Sequence, residues 1–214
     1  MGERFDWVNV DTKEYLCPLD FDLGDRLHES MFRENDLLRA LRELLAAEWK
    51  GCRVLFLGDE CEASGVPAGL YPLIPWRKEE SDHAFYRNVS CLFKAAEEEV
   101  RKGIEFYLEA WNRNDDSVPN GYGIDAKDPY RGLFLREGKT FRYTLNHTKK
   151  LGYSLTETKI LFQNGTQSNS LDPLPLLLGY GRCAHPGPWL GDIVGVADAL
   201  PPDYRLLPEI VLDW

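Results

Sequence analysis

From Phe5 to Val10 aromatic or branched residues alternate with polar ones, the two-residue period of a strand with one buried face. Asp11, Thr12 and Lys13 supply turn chemistry, and Glu14-Tyr15-Leu16-Cys17 predicts the returning strand of a hairpin. Pro18 ends that strand, because proline has no amide hydrogen to give the ladder. Asp22 to Phe32 predicts a short helix presenting Leu23, Leu27 and Met31. A clearer helical period follows. Asn35 or Asp36 can cap its exposed amides, and Leu37, Leu38, Leu41, Leu44 and Leu45 fall on one side at three-and-four spacing. Gly51 supplies the left-handed residue that ends it, and Arg53 to Leu57 predicts a buried strand running into Gly58-Asp59-Glu60.

The same phrases then return in the same order. Phe5-Asp6-Trp7-Val8-Asn9-Val10-Asp11-Thr12-Lys13 is echoed by Phe141-Arg142-Tyr143-Thr144-Leu145-Asn146-His147-Thr148-Lys149, an offset of 136. Trp49-Lys50-Gly51-Cys52-Arg53-Val54 is echoed by Trp189-Leu190-Gly191-Asp192-Ile193-Val194, an offset of 140. Gly132 to Leu135 and Thr140 to Leu145 predict strands joined by the tight turn Arg136 to Lys139, and Tyr153 to Phe162 adds β-rich sequence. Asp172 to Leu178 occupies the slot of the leucine helix, shortened to a turn or two by Pro175, and Asp192 to Ala197 is the matching strand. The apolar tail beyond Pro201-Pro202 is expected to dock on the body. Between these regions Ser64 to Pro75 is a Pro/Gly-rich loop, and Ser81 to Trp111 carries a sustained 3.6-residue apolar period with Glu97–Arg101 and Glu98–Lys102 pairs outside. Asn112 to Tyr130 is a polar loop. The predicted fold is α+β: two related hairpin–helix–strand units over 1–63 and 132–214, with an insertion over 64–131 carrying a long amphipathic helix at 81–111. All belong to one compact domain, and the cleft between the units is the expected site.

A chain of 214 residues with 43% hydrophobic and 28% charged residues is large enough to bury a core. Its net charge of −10 repels phosphate backbones, and its Lys and Arg residues form no stripe, so nucleic acid is not an expected partner. A basic protein is the partner that this charge admits. No apolar run reaches the roughly 20 residues of a membrane helix, and Met1 to Asp6 lacks the apolar core of a signal peptide. Five cysteines, an odd number, fit a reducing compartment, so a cytoplasmic protein is expected.

Catalytic chemistry has few footholds. Cys183-Ala-His185 is a short-spaced pair, but neither C-x-x-C nor H-E-x-x-H occurs, and no metal or cofactor is expected. Cys183 beside His185 is the best candidate nucleophile, since the charges of Asp59-Glu60 would disfavour a thiolate at Cys61. Asp59-Glu60 lies just beyond a buried strand, with Asp198 as its counterpart in the second unit, and such acids can serve acid–base work or end a strand in water. Gly121-Tyr122-Gly123 and Gly179-Tyr180-Gly181 lack the third glycine of a dinucleotide loop. Trp49 and Trp189 read as core anchors, whereas Trp76, on a loop, is the aromatic expected to meet a partner. Thr12-Lys13 and Thr148-Lys149 read as turn residues rather than a paired anion site.

Val8-Asn9-Val10-Asp11-Thr12-Lys13-Glu14-Tyr15, followed by Trp49 to Asp59, resembles a loose group of small uncharacterised proteins with a V-N-x-D/T-K-x-Y phrase and a later W-x-G-D/C-x-V-x-x-x-G-D phrase. Cys52 stands in place of the acid, which Asp192 retains in the second occurrence. The resemblance implies no activity. The functional expectation is therefore a non-enzymatic, cytoplasmic binding protein of the toxin-neutralising or inhibitory type. Its acidic face, with Asp59, Glu60 and Trp76, would capture a basic protein. The alternative is a small hydrolase with Asp59, Glu60 and Asp198, or Cys183 and His185, in the cleft.

Overall fold

A hairpin with one further antiparallel strand beside it occurs twice in the chain, and the helices lie across the pair. The computed structural model describes residues 3–21, 23–33, 35–60, 69–70, 72, 87–89, 139–182 and 185–213. Strands β1 (Phe5–Asn9) and β2 (Glu14–Leu16) form the first hairpin, with Asn9 opposite Glu14 and Trp7 opposite Leu16. Helix α1 (Asp36–Ala46) begins where the Asn35 side chain accepts the Leu38 amide at 2.7 Å, and its leucine stripe is buried. Strand β3 (Val54–Gly58), buried along its length, pairs antiparallel with β1, and β4 (Arg87–Asn88) runs parallel along β2.

The second half supplies β5 (Tyr143–Asn146), β6 (Leu151–Tyr153), β7 (Lys159–Phe162), α2 (Leu174–Leu178), β8 (Gly179–Tyr180), β9 (Val194–Ala197), β10 (Arg205–Leu206) and β11 (Glu209–Leu212). The strand orders are β4-β2-β1-β3-β8, β10-β6-β5-β9 and β11-β7. Strands and helices thus mix as in an α+β protein. The tail does dock: β11 runs parallel to β7, with Ile210 and Leu212 buried. Among the described residues no helix is long and apolar enough to cross a membrane.

Local geometry recurs in detail. The Asn9 side chain accepts the amides of Asp11 and Thr12, and the Asn146 side chain accepts that of Lys149. Lys13 and Lys150 both take the left-handed conformation, at φ 58° and 54°. Val10 donates to the Arg53 carbonyl and His147 to the Ile193 carbonyl. β10 borders β6 as β4 borders β2, with Arg205 opposite Leu151 and Arg87 opposite Glu14. Trp49 and Trp189 are 0% and 3% exposed, their amides donate to Leu44 and Leu177, and Gly51 and Gly191 follow at φ 78° and 81°. The hairpins match at Asn9 to Asn146, an offset of 137 rather than 136. A slip of one residue in a strand would turn every side chain to the other face, so the pairing decides the register.

Arg53 and Ile193 form an antiparallel bridge where the two halves meet. The helices are exchanged across it: α1 packs on β9, and α2 packs on β3. The larger of two apolar clusters runs from Phe5 and Trp7 through the α1 leucines to Trp189 and Leu212, and the smaller holds Val8, Val10, Leu55 and Leu57.

Three sequence expectations change. A helix from Ser81 cannot continue through Arg87 and Asn88, because these residues are extended against β2, and the Val89 amide donates to the Tyr15 carbonyl at 2.9 Å. The remainder of that helix, the loop 112–130 and the strand 132–135 lie outside the described residues. The strand expected over 140–145 covers Tyr143–Asn146 instead, with β6 on one side and β9 on the other. The short helix expected within 22–32 is reduced to a 3-10 turn at Glu29–Met31, and another 3-10 turn precedes the span at Pro18–Phe21.

One difference between the halves is energetic. The Asn146 amide donates to Asp192 at 2.8 Å, and Lys149 pairs with the same carboxylate, but Cys52 stands at that position in the first half. Among the described residues the buried Asn9 amide nitrogen has no partner. Cys52→Asn, which restores an acceptor, is expected to raise stability by about 1 kcal/mol, with no gain in an Asn9→Ala background. Denaturant melts check this, and an unchanged midpoint contradicts it.

His147 lies with Nδ1 2.6 Å from the Tyr204 hydroxyl. Burial, then the charges of Lys150 and Lys50, hold its pKa below the usual 6.5. A depressed folded-state value means that stability present above pH 6.5 is lost as pH falls toward the lowered value. NMR titration should find His147 protonating below 6.5. Acidification through that window should destabilise the wild type more than His147→Gln.

Candidate anion-binding pocket

Asp172, 0% exposed, precedes α2 and is held from three directions. It accepts the Tyr153 hydroxyl at 2.6 Å and the Leu174 amide at 3.0 Å, and it pairs with the Arg42 guanidinium. Arg42 comes from α1 and Tyr153 from β6, so one carboxylate ties α1, β6 and the start of α2 together. Burial alone would lower the Arg42 pKa, but the charges of and hydrogen bonds to Asp172 and Tyr153 together outweigh it and the value is raised. Burial, then the Asp172 charge, pushes the Tyr153 phenol well above its usual range. Arg42 and Tyr153 therefore each keep one protonation state near neutrality.

Above this buried pair lies a cavity of about 500 Å³. Among the described residues it is lined by Arg39 and Arg42, one turn apart on α1, by Lys139 to Arg142 ahead of β5, and by Thr144, Tyr153 and Ser154 to Thr156. An element of the first half thus roofs the hairpin of the second. Arg39 pairs with Asp36 at 3.3 Å, and Arg142 with Glu157 at 2.8 Å. Hydrogen bonds from the Tyr143 hydroxyl and from Arg142 lower the Glu157 pKa, keeping that pair charged. Lys139 lies 4.8 Å over the Phe141 ring and has no carboxylate partner among the described residues. Four cations face three partner carboxylates, and one of those, Asp172, is fully buried. The lining also carries the Thr140 hydroxyl and the hydroxyls of Ser154 and Thr156, which bond to each other at 2.9 Å, and a cation-rich lining of this kind can accept an anion.

The residues singled out from sequence lie elsewhere. Asp59 and Glu60 follow β3, where Asp59 accepts the Arg4 amide and Glu60 pairs with Arg182 at 2.8 Å. Because β8 is parallel to β3, Arg182 and exposed His185 follow from the same end of that sheet. Asp198 is exposed just beyond β9. β3 and β9 start from the Arg53–Ile193 bridge and run in opposite directions, which sets Asp198 roughly 30 Å from Asp59 and Glu60. These acids share no centre. Cys183 and Trp76 lie outside the described residues. Among the described residues no three His, Cys, Asp or Glu side chains cluster as metal ligands would.

Arg42, Tyr153 and Asp172 escaped the sequence reading because no spacing rule joins positions 130 residues apart. A signal did exist: Arg42 sits between Leu41 and Leu44 at the edge of the buried stripe, where a charge needs a partner. Removing that partner should be costly. Asp172→Ala is expected to lose about 3 kcal/mol or more, and Arg42→Met with Asp172→Leu to recover most of it. Denaturant unfolding of the two variants tests this, and a single change that costs nothing would contradict the pairing.

No protein-family model, curated protein or solved structure matches the chain.

Proposed function

We propose that this is a non-catalytic binding protein, built from two copies of one hairpin–helix–strand unit, that holds an anionic group in the pocket under α1. The copies are related by the shared turn, bridge and tryptophan geometry and by the exchange of helices between them. The observation that carries the function is the placement of Arg39, Arg42, Lys139 and Arg142 around one cavity in a chain of net charge −10. Such a local reversal of sign concentrates anions against the field of the whole molecule.

Binding fits the pocket better than acid–base catalysis does. A proton-transfer group works best with a pKa near the operating pH. The lining groups whose pKa is shifted, the guanidiniums of Arg42 and Arg142 and the Tyr153 phenol, are all raised, away from neutrality. Their arrangement suits a carboxylate or phosphate held by charge-assisted hydrogen bonds.

Calorimetric titration with inorganic phosphate and with small carboxylates at low salt tests the proposal. Binding is expected in the wild type, weakened roughly tenfold in Arg39→Gln, equivalent to one charge-assisted hydrogen bond. Absence of anion binding, or binding that Arg39→Gln leaves unchanged, would contradict it. Capture of a basic protein is a second reading, favoured by the net charge of −10 alone. Salt-sensitive association with a basic partner, unaffected by Arg39→Gln, would support that reading instead.

A further inference from the structure

We infer that the pocket takes an aromatic acid, with a flat ring seated on Thr144 and the acid group against Arg39 and Lys139. The inference rests on the anion-binding reading above and adds to it the shape of the ligand. It comes from comparing the two halves position by position. In the first, Trp7 faces Leu16 on one side and Phe56 on the other; in the second, Thr144 faces Tyr153 and Val196. Trp7 and Thr144 therefore occupy the same place on the same face of equivalent strands. The Trp7 ring packs 4.5 Å from that of Phe56, which stacks on Phe5 at 5.1 Å, and all three are buried.

The second half has threonine for the indole and valine for its ring partner, and its cavity of about 500 Å³ opens at that position. The second half thus lacks the two rings, of Trp7 and Phe56, that fill the corresponding positions of the first. Phe141, Leu155 and Tyr153 give the space apolar walls, as a ring needs. The cations fix one end. Arg42 is committed to Asp172 beneath, whereas Arg39 and Lys139 line the cavity with donors to offer. A ring of this size bearing a carboxylate would meet both the apolar walls and the two cations.

Calorimetry or ligand-observed NMR with 2-naphthoate, 2-naphthamide, acetate and inorganic phosphate separates these features. The expected result is 2-naphthoate binding at least tenfold more tightly than acetate or phosphate, and at least tenfold more tightly than the uncharged amide. Thr144→Trp, which places in the second half the side chain of the first, should abolish naphthoate binding, and Thr144→Ser should retain it. Should Thr144→Trp fail to fold, a nuclear Overhauser effect between the naphthoate ring and the Thr144 methyl group in the wild type serves instead. Equal affinity for acetate, phosphate and naphthoate would overturn the ring preference while leaving the anion pocket standing. Equal affinity for naphthoate and its amide would overturn the acid. Binding of none of the anions would overturn both readings.

Discussion

One carboxylate, removed wholly from water, sets the constraint that the rest of the molecule satisfies. Asp172 needs a positive partner, and that partner comes from the helix of the other half of the chain. The Arg42–Asp172 pair and the Tyr153 hydroxyl hold α1 over the second hairpin while the start of α2 is fixed in the same contact. A buried pair of this kind contributes little net stability compared with apolar packing, but breaking it is costly. Its effect is to specify where α1 lies, and so where the roof of the pocket lies.

Exchange of helices explains why a short α2 suffices. Five residues, Leu174–Leu178, cover the aromatic face of the first hairpin, which is already filled by Phe5, Trp7 and Phe56. The second hairpin presents Thr144, Tyr153 and Val196, lies under the longer α1, and keeps a cavity. Similar strand pairing thus carries two different faces, one filled by buried aromatic rings and the other lining a cavity edged by cations. The Asn9–Cys52 and Asn146–Asp192 corners differ in the same sense, since the second half carries the more complete polar network.

Local order was readable wherever short-range physics decides it. The alternation from Phe5, the Asn35 cap with its leucine stripe and the left-handed Gly51 follow from neighbouring residues, and the docking of the tail follows from its apolar composition. The paired phrases were visible, but the recurring turns align one residue further along than the letters do. Thr12-Lys13 and Thr148-Lys149 match as letters, whereas the turns are set by Asn9 and Asn146 and by left-handed Lys13 and Lys150. The pocket was not readable, because Arg39, Arg42, Arg142 and Tyr153 are joined only by the crossing of α1 over the second hairpin. Acids adjacent in sequence attracted attention instead, and β3 and β9 carry Asp59 and Asp198 apart.

The most direct test of the central claim is a methyl-resolved NMR titration of the whole chain with an aryl carboxylate. If the second hairpin holds the ligand under α1, the methyl signals of Thr140, Thr144, Leu155 and Thr156 move together with one affinity, and those of Leu16, Leu55 and Val8 in the first hairpin's sheet stay in place. Movement confined to the first half, or no movement at saturating ligand, would contradict the account.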